Sequence, residues 1–292
     1  MELVSIIVAT RNAGRTLEAC LTSARMQDYK FLEILVVDNE STDDTLRIAT
    51  AFADRVLQAG PERCAQRNAG IRAARGKYIL VLDADMVLDS NVVSAALAAS
   101  ALGRKAVAVP EVSFGDGFWS ACKTFERSFY RSDAIVSAAR FFPRDVAQQI
   151  GGYDEELVAF EDWDMSMRIG EQLPLAFANA IIHHNEGRQS LGNLFAKKRY
   201  YGKWLPAFVR KHGFQALKRI NPVRPSLIRG IGQLVRRPIL GAGVVVVKAV
   251  EMTGGLLGTL DQRRQRPPPY KAVPKMTEAT DERLESQLAP RR

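Results

Sequence analysis

Three short apolar runs constrain this chain more than any other feature, because each one stops at a polar or acidic residue. They are LVSIIVAT (3–10), LEILVVDN (32–39) and KYILVLDAD (77–85). Runs this short and this rich in Val, Ile and Leu read as buried strands. An amphipathic stretch opening at Asn12 or Gly14 and reaching Met26 follows the first. After the second, STDDT (41–45) supplies caps for a helix reaching Phe52. A short strand near Arg55–Gln58 and a helix over about 62–75 precede the third. Strands alternating with helices predict an α/β fold with a mostly parallel sheet and right-handed crossovers. In such sheets ligands bind beyond the carboxyl ends of the strands, where Thr10, Asp38 and Asp83 stand.

The remainder of the body continues the pattern: a helix over 89–102, a strand over 106–110, an aromatic stretch from Phe114 to Phe142, a loop at GGYDEEL (151–157), a helix over 161–171 and one last strand over 175–184. Three cysteines (Cys20, Cys64, Cys122) have no metal-like spacing, and an odd count is no disulfide framework, so a reducing compartment is the simplest reading. No secretory leader is visible in the opening residues.

Charge is distributed unevenly along the 292 residues. The net value of +9 would suit a nucleic-acid partner, but residues 1–186 carry 19 basic and 26 acidic side chains. Between Gly187 and Val250 there are 14 Lys or Arg and no Asp or Glu. The chain therefore reads as an acidic body joined to a basic segment. No groove-reading module or stacking platform accompanies the basic residues, which argues against a nucleic-acid partner. An apolar stretch, Ile239 to Leu260, follows and is interrupted by Lys248 and Glu251. It has nearly the ~20-residue length of a membrane span. Two central charges cost several kcal/mol in lipid, so the expected arrangement is a helix lying in the interface.

Several motifs carry chemistry. Asp83-Ala84-Asp85 ends the most apolar strand, and two carboxylates so spaced can share a hard divalent cation with a diphosphate. The same residues would also cap the next helix. Glu161, Asp162 and Asp164 crowd one helical turn around Trp163; helix-dipole complementarity accounts for some of them, and a carboxylate there can also take a proton from a hydroxyl. His183 and His184 end a strand, so one of them faces the sheet top and is a candidate metal ligand. Arg67 and Asn68 can reach a nucleotide, and KKRYYGKW (197–204) can neutralise a diphosphate or meet anionic lipid.

In this order VSIIVATRN, LEILVVDNESTDDT, AQRNAGIRAARGKYILVLDAD, FFPRDVAQQIGGYDEEL, EDWDMSMR and HHNEGRQSL resemble the family 2 glycosyltransferases, over roughly residues 3–205. The resemblance implies the type A glycosyltransferase fold, Rossmann-like with helices flanking the sheet, and a sugar-nucleotide donor with a UDP or GDP carrier. It places Thr10, Arg11, Asp38 and Arg67 around the base and ribose, with Asn12, Glu40 and Ala84 beside them. It brings Asp83 to the ribose and gives Asp85 a Mg2+ or Mn2+ shared with the diphosphate and with His184 or His183. Asp162 becomes the general base of an inverting transfer, with Glu161 at its side. Arg188, Lys198, Arg199 and Trp163 are candidates for diphosphate or acceptor contacts. Two departures stand out: the common DGS reads Asn39-Glu40-Ser41, and the DxDD variant is absent because Met86 follows Asp85.

A general base is needless for a phosphate nucleophile, so this pattern points to a hydroxyl acceptor, namely a lipid-linked or membrane-proximal saccharide. A polyprenyl-phosphate glycosyltransferase and a non-catalytic sugar-nucleotide-binding scaffold are the alternatives. The expected organisation is a catalytic domain over 1–205, with a donor half (1–110) and an acceptor half (111–205). Basic and apolar helices over 206–260 would meet an anionic membrane surface on its cytoplasmic side, peripherally or monotopically, and a mobile polar tail would follow over 261–292.

Overall fold

The computed structural model describes residues 1–264 except 102–104, 132, 222–225 and 227–228, so most of the expected polar tail lies outside the described residues. Strands β1 (Val4–Thr10), β2 (Leu32–Asp38), β3 (Arg55–Gln58) and β4 (Tyr78–Asp83) lie parallel in the order β3-β2-β1-β4. All seven residues of β1 are buried, as a strand covered on both faces requires. Alternation then divides its side chains between two cores. Ile6 and Val8 join α1 (Leu17–Arg25) and α2 (Thr45–Phe52), whereas Ile7 faces α3 (Arg63–Ala73). Gly70 lets α3 approach that closely, since a Cβ there would collide with Ile7.

Register sets the site. Thr10 pairs with Asp38 and Ala9 with Asp83, so the polar ends of three strands form one edge. The chain turns at Ala84 and Asp85 into β5 (Met86–Leu88), and α4 (Val92–Ala101) follows. β6 (Ala106–Ala108) joins the main sheet, β7 (Glu111–Phe114) leaves it, and α5 (Phe118–Ser128) leads to β8 (Phe141–Pro143), its one antiparallel strand. After α6 (Arg144–Gln149) comes α7 (Glu161–Gly170), with Met165 and Ile169 in the second core. The single strand expected over 175–184 is in fact two. β9 (Leu175–Phe177) completes the seven-stranded sheet beside β6, and β10 (Ile182–Asn185) sits between β5 and β7 in a separate three-stranded sheet. The break arises because one run serves two sheets. It sets His184 opposite Met86, next to Asp85.

The basic and apolar region is not detached from this body. α8 (Leu191–Gly202) leads into α9 (Leu205–His212), whose Phe208 is fully buried against Leu157, Phe160 and Trp163. After α10 (Phe214–Ile220) and α11 (Ile231–Arg236), the last helix, α12, runs from Pro238 to Arg264 and passes the expected boundary at Leu260. Its Val244 and Val247 share a core with Cys122 and Phe125 of α5 and Leu194 of α8. Gly254 and Gly258, one helical turn apart, bring its backbone against α8: a Cβ at Gly258 would fall on the Arg199 carbonyl.

Candidate active site

At the edge formed by Thr10 and Asp83, a cavity of about 480 Å³ is lined by Thr10, Arg11, Asn12, Ala84, Asp85 and His184, with Arg63, Gln66 and Lys197 closing it. Gln66 fixes two strand ends by donating to the Thr10 and Val37 carbonyls, each at 2.7 Å. Asp38 is buried beneath this edge. Its carboxylate accepts from Thr10 Oγ1 (3.0 Å), from the Ser41 amide (2.9 Å) and hydroxyl, and from Gln58 Nε2 (3.2 Å), so it organises the loop that the resemblance associates with the base. Glu40 is exposed and takes a left-handed backbone, φ 50°, at the position where the family commonly has glycine.

Arg67 is not in this cavity. It is wholly buried, stacks over Tyr153 at 5.0 Å, and joins the two acidic motifs: Nη2 donates to Asp83 at 2.7 Å and Nη1 to Asp162 at 2.8 Å. The arginine lining the nucleotide-sized cavity is Arg63, one turn earlier on α3, which also pairs with Glu161 at 3.0 Å. Burial works against the Asp83 charge, but Arg67 and then Arg140 hold its carboxyl well below the ordinary range. Glu161 moves the other way: burial first and the Asp162 charge second push it up, only partly countered by Arg63 and Arg67. Environments that separate the titration of neighbouring carboxylates mark a functional site.

Among the described residues no cluster of three or more His, Cys, Asp or Glu forms a ready-made metal cage. The donors present nevertheless fit a divalent ion. Asp85 Oδ1 is buried without a hydrogen-bond partner, and Oδ2 lies 3.4 Å from His184 Nε2. Carboxylate oxygen with imidazole nitrogen suits Mn2+ and, less well, Mg2+. Burial opposes protonation of His184, but Asp85 and Glu111 overcome it and raise the imidazole to about 9. His183 does not join them: its Nε2 lies 2.9 Å from Asp89, on the other face of β10. Asp83 is likewise taken up by its arginines.

Beyond Asp83 lie two further cavities of about 320 and 290 Å³, both lined by Glu111, Lys123, Arg127, Arg140, Asp162, Trp163, Lys198 and Glu251. Asp162 lines both together with Glu111 and Glu251, and of these three it is Asp162 that Arg67 holds. Trp163 donates from Nε1 to the Val136 carbonyl and forms a wall of this chamber. Lys198 reaches the chamber, whereas Arg199 turns away to Asp261 at 2.8 Å and Arg188 is exposed outside all these cavities. Sequence reasoning passed over Glu111 and Arg140, which meet at 2.5 Å. It also passed over the network of Lys123, Glu126, Lys248 and Glu251 that ties α5 to α12. Glu111, following Pro110 at a strand start, was the one local signal.

A mostly parallel sheet with a cavity at its strand ends, and a carboxylate facing a second chamber beside it, suits a transferase with separate sites for donor and acceptor. Residues 5–152, half of the chain, match the glycosyl transferase family 2; the chain belongs to this family and is a glycosyltransferase. It is 41% identical over 90 residues to the UDP-Glc:alpha-D-GlcNAc-diphosphoundecaprenol beta-1,3-glucosyltransferase of Escherichia coli, a match covering 29% of this chain and 36% of that protein. The chain thus spans about a third of that relative's length. A PGL/p-HBAD biosynthesis glycosyltransferase of Mycobacterium bovis is 29% identical over 188 residues, 57% of this chain and 69% of that protein. The fold also matches the solved structure of a mannosyltransferase from Pyrobaculum calidifontis in complex with GDP-Man and Mn2+. That match has a TM-score of 0.56 at 15% identity and covers 99% of this chain and 81% of that one.

Proposed function

We propose that this enzyme moves a sugar, with inversion, from a UDP- or GDP-sugar to a hydroxyl of a lipid-linked saccharide at the cytoplasmic face of a membrane. The position of Asp162 carries the reading: it faces the chamber on one side and, through Arg67, is tied to Asp83 at the donor cavity. The catalytic domain is taken as 1–205, with donor half 1–110 and acceptor half 111–205. Thr10, Arg11, Asn12 and Ala84 line the donor cavity, Glu40 borders its base-side loop, and Asp38 holds that loop. Asp85 and His184 would hold Mg2+ or Mn2+, which when bound counters the charge of the departing diphosphate. Arg63 and Lys197 line the same cavity and add fixed positive charge there.

Asp162 takes the proton of an acceptor hydroxyl presented from the chamber. Arg67 orients it, while Glu161 is held next to it by Arg63. The acceptor side faces the membrane in this reading. The outward face of α12 exposes Ile239, Val245, Val246, Met252, Leu256, Leu257 and Leu260, an apolar stripe, while its charged residues turn inward to α5. With its apolar face outward and its other face packed on the body, the helix can lie along the membrane interface. Lipid-linked acceptors fit that placement, as does the diphosphoundecaprenol-linked acceptor in the name of the Escherichia coli relative.

A panel of UDP- and GDP-sugars with Mg2+ and Mn2+ tests donor and metal, and Asp162→Asn tests the base. Asp162→Asn should abolish transfer to a hydroxyl acceptor and leave UDP or GDP binding intact. Transfer surviving in that variant would refute the base; if the surviving acceptor is a polyprenyl phosphate, the alternative activity gains support.

A further inference from the structure

The first turn of α7 carries the reactive carboxylates, yet its N-terminus has no side-chain cap. Its N-cap residue, Phe160, takes φ 67°, a left-handed conformation that is strained for a bulky residue. Such a backbone persists only where surrounding contacts over-determine it. Arg168 of α7 itself donates to Asp164 at 2.6 Å and α3 holds Glu161 and Asp162 through Arg63 and Arg67; further contacts come from α9. The Phe160 ring stacks on Phe208 at 5.2 Å between centroids and 18° between planes, and Phe208 also meets Trp163 at 6.3 Å. Below them Asp164, fully buried, accepts from His212 Nε2 (2.8 Å) and pairs with Lys211 Nζ (2.5 Å). Lys211 holds Asp154 at 2.6 Å as well, tying the GGYDEEL loop to the same point.

We propose that α9 is a positioning element for the general base: Phe208, Lys211 and His212 clamp the first turn of α7 so that Asp162 points into the acceptor chamber. The proposal rests on the reading of Asp162 as the base. It gives Asp164 a purely mechanical role, and it makes the start of the basic segment part of the active-site framework.

The test uses the full chain and compares Phe208→Leu, Phe208→Tyr, Lys211→Met and Lys211→Arg with Asp162→Asn. Sub-ångström displacement of a reacting group costs about 10- to 100-fold. Phe208→Leu and Lys211→Met should therefore lower kcat for transfer 10- to 100-fold while the dissociation constant for UDP or GDP, measured by calorimetry, stays within about twofold. Phe208→Tyr and Lys211→Arg, which keep the stack and the ion pair, should recover most of kcat. Should Phe208→Leu fail to fold, the Lys211 pair decides. Unchanged kcat in Phe208→Leu and Lys211→Met, beside an inactive Asp162→Asn, would overturn the clamp alone. Nucleotide affinity falling in parallel with kcat would also overturn it, by showing general loss of structure. An active Asp162→Asn would overturn the base and the clamp together.

Discussion

Replacing Glu126 by Gln probes whether α12 is part of the folded body or a free membrane segment. Glu126 is buried on α5, pairs with Lys123 at 2.7 Å and also with Lys248 of α12. Burial disfavours its charge, but Lys123 and then Lys248 pull the carboxyl from 4.5 down to about 2. At ~1.4 kcal/mol per pKa unit that drop is worth about 3 kcal/mol. The sign follows from linkage. A depressed carboxyl contributes stability that is complete above its unfolded value, near 4.5, and is lost as pH falls through about 2. Glu126→Gln lacks that contribution and leaves Lys248 facing an uncharged amide. Urea unfolding at pH 7 should therefore show the variant about 3 kcal/mol less stable, and at pH 3 the gap should narrow to about 1 kcal/mol. Trypsin should cut near Lys248 sooner in the variant, because α12 loses one of its ties to α5. Equal stabilities at pH 7, or a gap that stays constant down to pH 3, would refute the account of how α12 is held.

Three other outcomes follow from the same geometry. Gly258→Ala places a methyl group on the Arg199 carbonyl and should lower stability by about 1–3 kcal/mol in thermal or urea unfolding as α12 is pushed from α8. Glu40→Gly removes a side chain from a left-handed backbone and should be neutral or stabilising by up to about 1 kcal/mol, with transfer retained, as followed by melting temperature. Asp85→Asn should abolish stimulation of transfer by Mn2+ while leaving the fold intact by circular dichroism; full stimulation in that variant would remove Asp85 from the metal site.

The strand ends were legible because the signal is local: an apolar run that stops at Thr10, Asp38 or Asp83 needs no knowledge of the rest of the chain. Side-chain destinations were not. Glu161, Asp162 and Asp164 look interchangeable in EDWD, yet the helix sends one to Arg63, one to the chamber and one beneath itself to Lys211 and His212. Arg67 reads as a nucleotide contact, but it lies one turn too deep on α3 and Arg63 takes the exposed place. Glu111 reaches the site from β7 of the small sheet and Arg140 from the residue just before β8 of the main sheet, and no spacing in the sequence relates them.

The basic segment shows why a charge count can mislead about a surface. Fourteen cations without one acid between Gly187 and Val250 read as a collar for anionic lipid. Four of those cations pair with acids of the molecule itself. Lys211 goes to Asp154 and Asp164, Lys248 to Glu126, Lys198 toward Glu251 at 3.8 Å, and Arg199 to Asp261. Arg210, Lys218 and Arg236 are among those left exposed. The acids that meet the buried cations lie mostly in the catalytic body, so the excess of −7 there and the excess of +14 here partly neutralise each other within one set of contacts. What remains to favour a membrane is therefore less the charge than the uncharged apolar stripe on the outer face of α12. Binding to vesicles should accordingly depend on that stripe: Val245→Glu with Leu256→Glu should weaken flotation far more than raising the salt does, because ~1 kcal/mol per surface cation is screened by salt and apolar burial is not.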